Sequence, residues 1–134
     1  FHVGHLRNAA LGDSLCRIFR YNGYEVVAAN YFGDVGTHIA KCLWYFLNHC
    51  DESPPDELRG EWLGDLYTKS VQLLETLEVE EVQQAQTEIS NLLRRMEEKD
   101  PELSKVWEET KQWSMDDFKE IYRWLDIHFD HDFY

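Results

Sequence analysis

The stretch 25–31, Glu-Val-Val-Ala-Ala-Asn-Tyr, constrains the fold most. Its almost wholly apolar run is short and β-branched, and reads as a strand buried on both faces, a property of parallel sheets. A parallel strand needs a crossover, and one stands before it. Leu11, Leu15, Ile18 and Phe19 fall three or four apart, which predicts a helix ending near Tyr21, with Gly23 as its breaker and its apolar stripe laid on the sheet. Phe1-His2-Val3, ahead of that helix, reads as the end of another strand. Strand, helix and strand form a βαβ unit, whose ligands sit beyond the carboxyl ends of the strands.

Two segments fall on that rim. In the first, His2 and His5 flank Gly4 at a helix start, where unpaired N–H groups and the helix dipole favour an anion and a glycine allows close approach. Neutral imidazoles donate hydrogen bonds and imidazolium adds charge, so the turn suits a polyphosphate. The plainer reading is that His2 ends a strand and His5 caps a turn. The second segment is Phe32-Gly33-Asp34-Val35-Gly36-Thr37-His38, a tight bend with a carboxylate at its tip. Gly33 and Gly36 are expected to hold backbone angles that side chains resist, and Thr37 to cap a helix over 39–47. Asp34 serves either the rim or only its own turn.

After the proline-broken loop Asp51-Glu52-Ser53-Pro54-Pro55-Asp56, the pattern is helical up to Leu125. Helices are predicted over 61–75, over 79–99 with Asp100-Pro101 as a stop, over 102–113, and over 115–125 with Ser114 as N-cap and Asp117 completing a capping box. Residues 127–130 alternate briefly, as a returning strand does. The separation between the two strands far exceeds a usual crossover, so the helices form a layer or insertion beside the sheet. The expected organisation is a βαβ start over 1–50, a helical layer over 51–126 and a returning strand over 127–134. Trp107, Trp113, Tyr122 and Trp124 are read as packing residues rather than a base-stacking platform.

Charge divides the chain in the same place. The net charge is −13, yet residues 1–50 hold four Lys and Arg against three Asp and Glu, so the acidic excess lies beyond residue 50. An acidic surface repels a nucleic-acid backbone, and most of those carboxylates read as solvated helix faces. Cys16, Cys42 and Cys50 are odd in number and lack a paired spacing, while His128, Asp130 and Asp132 share one strand face with His131 on the other and nothing nearby completes a metal motif. No stretch is apolar and long enough to span a membrane and none has the layout of a signal peptide, so reduced thiols in a cytoplasmic setting are expected. Phe1 is not a natural start residue, and the pattern opens inside an expected strand, as an excerpt of a longer protein would.

The run FHVGHLRNAALGDSLCRIFRYNGYEVVAANYFGDVGTHIA, followed by RGEW and later by WSMDDFKEIYRWLDIHFD, closely resembles class I arginyl-tRNA synthetases. The four-residue histidine signature is common to class I synthetases. The continuation HLRNAALGD, the GDxGTH loop and the IYRWLDIHFD exit point to the arginine enzyme, and the resemblance runs with few gaps from Phe1 to Tyr134. It departs at Val35 and His38, where the family usually carries Trp and Gln.

The resemblance implies an α/β fold, part of a Rossmann-like parallel-sheet nucleotide-binding domain of the HIGH type with a large helical layer. It implies a ligase that activates L-arginine with ATP, accompanied by Mg2+, and transfers it to tRNA(Arg) in protein biosynthesis. His2 and His5 would be catalytic and, with Gly4 facing adenine, would bind ATP. His5 would also lie against arginine, and Asn30, Gly33, Asp34 and Gly36 would shape the rim. tRNA would bind through parts mostly absent here, as are a lysine-bearing loop and the Ser-Pro-Asn stretch that precedes the signature. Two other readings of the residues stand beside it: a non-catalytic acidic helical interaction module, and a metal-dependent hydrolase using His2, His5 and Asp34.

Overall fold

The computed structural model describes residues 2–33 and 35–134. The chain forms two compact units, one from residues 1–33 and 118–134 and the other from 34–117. The first holds helix α1 (Val3–Tyr21), strands β1 (Ala29–Tyr31) and β2 (His131–Phe133), and the end of helix α5 (Pro101–Trp124). The second holds α2 (Thr37–Asn48), α3 (Arg59–Thr76), α4 (Val79–Glu97) and the body of α5.

In the first unit β1 and β2 pair in parallel, with Ala29 opposite His131 and Tyr31 opposite Phe133. The parallel strand pair is as expected, but the strands are shorter and β2 lies later than the predicted 127–130. Nor is β1 buried on both faces: Ala28 and Ile127 are buried beside it, whereas Val27 is 64% and Tyr31 75% exposed. α1 starts at Val3, so the strand expected ahead of the helix does not occur among the described residues. Its stripe is in place but uncovered, with Leu11, Leu15, Ile18 and Phe19 all exposed.

The end of α1 follows the sequence closely. Gly23 takes the left-handed conformation (φ 84°) and donates its N–H to Arg20, while Tyr24 donates to Phe19. This satisfies the last carbonyls in a Schellman motif, and the rings of Phe19 and Tyr24 meet at 5.6 Å to cover it. Two arginines then fasten the helix to distant sequence. Arg17 donates to the carbonyl and carboxylate of Asp126 at 2.8 and 3.2 Å, and Arg20 to Asp130 at 3.2 Å.

The second unit is built from helices around one main core of Ala40, Leu43, Trp44, Ala85, Ile89, Leu92, Met96 and Leu103. Cys42, Leu63 and Leu66 form a smaller cluster between α2 and α3. Trp107 and Trp113 pack against these clusters as expected, while Trp124, in the other unit, is 79% exposed. The N-cap of α2 is Gly36, without a side-chain cap, and Thr37 is the first helical residue rather than the cap. Asp100 and Pro101 open a helix as well as following one: Asp100 accepts from the N–H groups of Glu102 and Leu103, and Pro101 fills the first-turn position that needs no N–H.

The two helices predicted over 102–113 and 115–125 are one, α5. Neither Gly nor Pro interrupts residues 102–124, so nothing forces a break at Ser114. Asp117 does cap a helix, but another one: its Oδ2 accepts from Glu61 N–H at 3.3 Å, at the start of α3. Among the described residues no helix is long and apolar enough to cross a membrane.

Candidate functional site

Helix α1 begins in two histidines that cap it together. His2 stands at the N-cap in extended backbone, and its Nδ1 accepts from Gly4 N–H at 3.0 Å. The Nδ1 of His5 accepts in turn from His2 N–H at 3.2 Å. This is the reciprocal layout of a capping box, with imidazoles in place of the usual hydroxyl and carboxylate. The rings stack with centroids 3.9 Å apart. Gly4 leaves room for it: a Cβ there would stand 2.8 Å from His2 Cε1.

The cap fixes the chemistry of the rings. A ring nitrogen that accepts carries no proton, so both imidazoles are neutral in this arrangement, with the proton on Nε2. Partial burial pushes the His5 pKa down, and the neighbouring His2 pushes it the same way. Three of the amides expected to receive an anion are already engaged. Gly4 donates to His2 Nδ1, and the N–H groups of His5 and Leu6 go to the His2 carbonyl at 2.9 and 3.2 Å. The site therefore presents imidazoles where bare amides were expected.

Aromatic rings carry the site from His5 into the rest of its unit. Phe118 meets His5 edge to face at 5.8 Å, lies 5.8 Å from Phe32, and stacks on Tyr122 at 6.2 Å. Phe32, which follows β1, stacks on Tyr134 at 5.8 Å. Burial raises the pKa of the Tyr122 phenol, and a hydrogen bond with the Asn30 side chain partly offsets this. Asn30 is thereby tied to the same group of rings.

The remaining rim residues behave differently. Asp34 lies outside the described residues. Gly33 has no left-handed φ and an added Cβ would meet nothing within 4 Å. Gly36, in the other unit, is extended at φ 162°, and an added Cβ would lie 3.1 Å from His38 Cε1. The expectation that both glycines hold angles resisted by side chains is corrected: neither φ is in the left-handed region.

The other candidate clusters have structural partners. Cys16, Cys42 and Cys50 are free thiols; Cys42 donates to the Leu63 carbonyl, and burial pushes its pKa up to about 11. Asp130 accepts from Ala28 N–H at 2.7 Å. Among the described residues no group of three or more His, Cys, Asp or Glu side chains could hold a metal ion. Two residues escaped the sequence reading. Phe118 was legible as an inward position of its helix but not as the neighbour of His5, and Asp130 was legible only as a strand residue, since neither contact leaves a trace in local spacing.

A helix opened by a histidine pair around a glycine thus shares one unit with a parallel strand pair. The family described as tRNA synthetases class I (R), catalytic domain, matches residues 1–131, and the chain belongs to it. It is similar to the arginine–tRNA ligase of Bdellovibrio bacteriovorus, 42% identical over 132 residues. It is 35% identical to that of Borrelia turicatae and 32% to that of Fusobacterium nucleatum. Each match covers 96% of this chain and 22% of the relative, so the chain spans under a quarter of the curated relatives it matches.

Proposed function

We propose that these residues are the histidine-bearing part of an arginine–tRNA ligase that activates L-arginine with ATP and transfers it to tRNA(Arg), in a cytoplasmic setting. The observation that carries the reading is the match over 1–131 with His2, Gly4 and His5 gathered at one helix start. In the reaction, the arginine carboxylate attacks the α-phosphorus of ATP, pyrophosphate leaves, and a ribose hydroxyl of the tRNA end then takes the arginyl group from the adenylate. Catalysis of such a step is positioning and stabilisation of charge on phosphate oxygens.

His2 and His5 serve that need as donors. With each Nδ1 engaged by a backbone N–H, the proton sits on Nε2, the nitrogen that would donate to a phosphate oxygen whose charge grows as pyrophosphate departs. His5 also contacts arginine in this reading, Gly4 admits the adenine face, and Asn30, Gly33, Asp34 and Gly36 form the rim. Any Mg2+ would come with the ATP as part of the substrate, and no step is assigned to it. Contacts to tRNA fall to other parts of the longer protein, in keeping with the acidic balance beyond residue 50.

Arginine-dependent ATP–pyrophosphate exchange by the full-length protein tests the reading. His5→Ala should lower kcat by about 10²–10³ with the KM for ATP within a few-fold. His5→Gln, which keeps an acceptor for His2 N–H, separates the cap from the chemistry. Near-normal kcat in His5→Ala, or exchange that does not depend on arginine, overturns it.

A further inference from the structure

The His5 ring is held by its own segment through the His2 N–H and the stacked His2 ring, and from α5 by Phe118, 113 positions away in sequence. Phe118 is itself fixed from two directions, by Phe32 at 5.8 Å and by Tyr122 one turn along the same helix. That packing restrains the Phe118 ring where it meets His5 edge to face. Edge-to-face contact is directional, so it sets the plane of the imidazole and with it the line along which Nε2–H points.

We propose that Phe118 is a positioning residue for His5, setting the orientation from which the imidazole donates to the nucleotide; this rests on the role proposed above for His5. Phe118 touches no reacting atom and acts through the histidine alone. The same contact covers part of an imidazole that is otherwise exposed, and partial burial favours its neutral form. His2 bears on His5 as a titratable neighbour, and on α5 the Tyr122 phenol stacks against Phe118.

The test is a double-mutant cycle in the full-length protein, read by arginine-dependent exchange and by NMR titration of the His5 ring. Phe118→Leu should lower kcat about 10-fold with the KM for ATP within a few-fold, because misorientation costs rate rather than binding. It should also move the His5 midpoint up toward that of an open histidine, and Phe118→Tyr, which keeps the ring, should restore both. In a His5→Ala background Phe118→Leu should cost less than 2-fold more. An unchanged His5 midpoint in Phe118→Leu, or an undiminished cost in the His5→Ala background, overturns the proposal. If Phe118→Leu unfolds, the titration of Phe118→Tyr and Phe118→Trp decides: midpoints that ignore the size of the ring overturn it. Loss of arginine dependence in the unmutated protein would instead sink the ligase reading, while the His5 titration would still judge the contact.

Discussion

Asp130 binds Ala28 from both ends of its own residue: its Oδ2 accepts from Ala28 N–H, and its N–H donates to the Ala28 carbonyl, each at 2.7 Å. The same carboxylate receives Arg20 of α1, so one side chain joins helix, strand entry and returning strand. Asp130→Ala leaves a half-buried N–H unpaired and should cost about 1–3 kcal/mol. Asp130→Asn retains an acceptor and should cost less than half of that. Thermal melts of the two variants compare them, and equal losses would show that the Ala28 contact contributes nothing.

Gly60 should be intolerant of even a methyl group. A Cβ there would stand 2.5 Å from Asp117 Oδ2 and 3.2 Å from Ser114 Cα, the second a backbone atom that cannot swing aside. Gly60→Ala should therefore push α5 from α3 and break the cap on Glu61 N–H, for about 1–3 kcal/mol. In an Asp117→Ala background the cost should shrink, since part of the clash is with that carboxylate. Denaturant melts of the four proteins measure the coupling.

Two glycines that look alike in sequence should respond oppositely. Gly23→Ala forces a side chain into φ 84° and should cost about 1 kcal/mol, whereas Gly33→Ala meets open space and should change stability by less than about 0.5 kcal/mol. A large loss at Gly33 would restore the tight bend expected from its sequence.

The histidine cap should weaken in acid. His5 has a pKa below its ordinary 6.5 in the folded chain, so the unfolded chain binds more protons between the two values. Its contribution is thus complete above about pH 6.5 and is lost as pH falls through the folded value. Amide exchange at His2 and Gly4 should quicken, relative to intrinsic rates, between about pH 7.5 and 5.5. The lower limit keeps clear of Glu88 and Asp100, whose carboxyls are held below the ordinary range by Trp44 and Arg95 respectively. Exchange unaffected by pH would mean that the imidazoles do not cap α1.

What the sequence made legible was what local chemistry decides. The end of α1, the parallel strand pair and the helical run beyond residue 58 all follow from spacing, breakers and apolar runs. The strand over 25–31 was overread because an apolar run reports an appetite for burial, and among the described residues only Ala28 of that run is buried. Asp117 was assigned to the wrong helix because a capping box is a local pattern, while its actual partner is 56 positions away. In the site, the histidine–glycine turn could be read, and so could the three-residue spacing of its two imidazoles. That these imidazoles would take up the backbone N–H groups of Gly4 and His2 could not, since histidine is not a usual member of that motif.

The last prediction concerns residues 1–134 taken alone. Leu11, Leu15, Ile18 and Phe19 form an apolar stripe along α1 that is 47–59% exposed, and among the described residues the sheet has two strands. Exposed stripes and bare parallel edges favour association, so the isolated chain should sediment as aggregates or higher oligomers at micromolar concentration. Leu15→Glu with Ile18→Lys should restore a monomer without unfolding the second unit, whose core uses neither residue. The same chain should show no measurable arginine-dependent exchange, because losing even one preorganised charge contact costs about 10²–10³ in rate and 134 residues match only 22% of each relative. Sedimentation velocity and an exchange assay, with a full-length ligase as control, decide both points: a monomer would show that the stripe is harmless in water, and clear exchange would place the whole catalytic machinery within these residues.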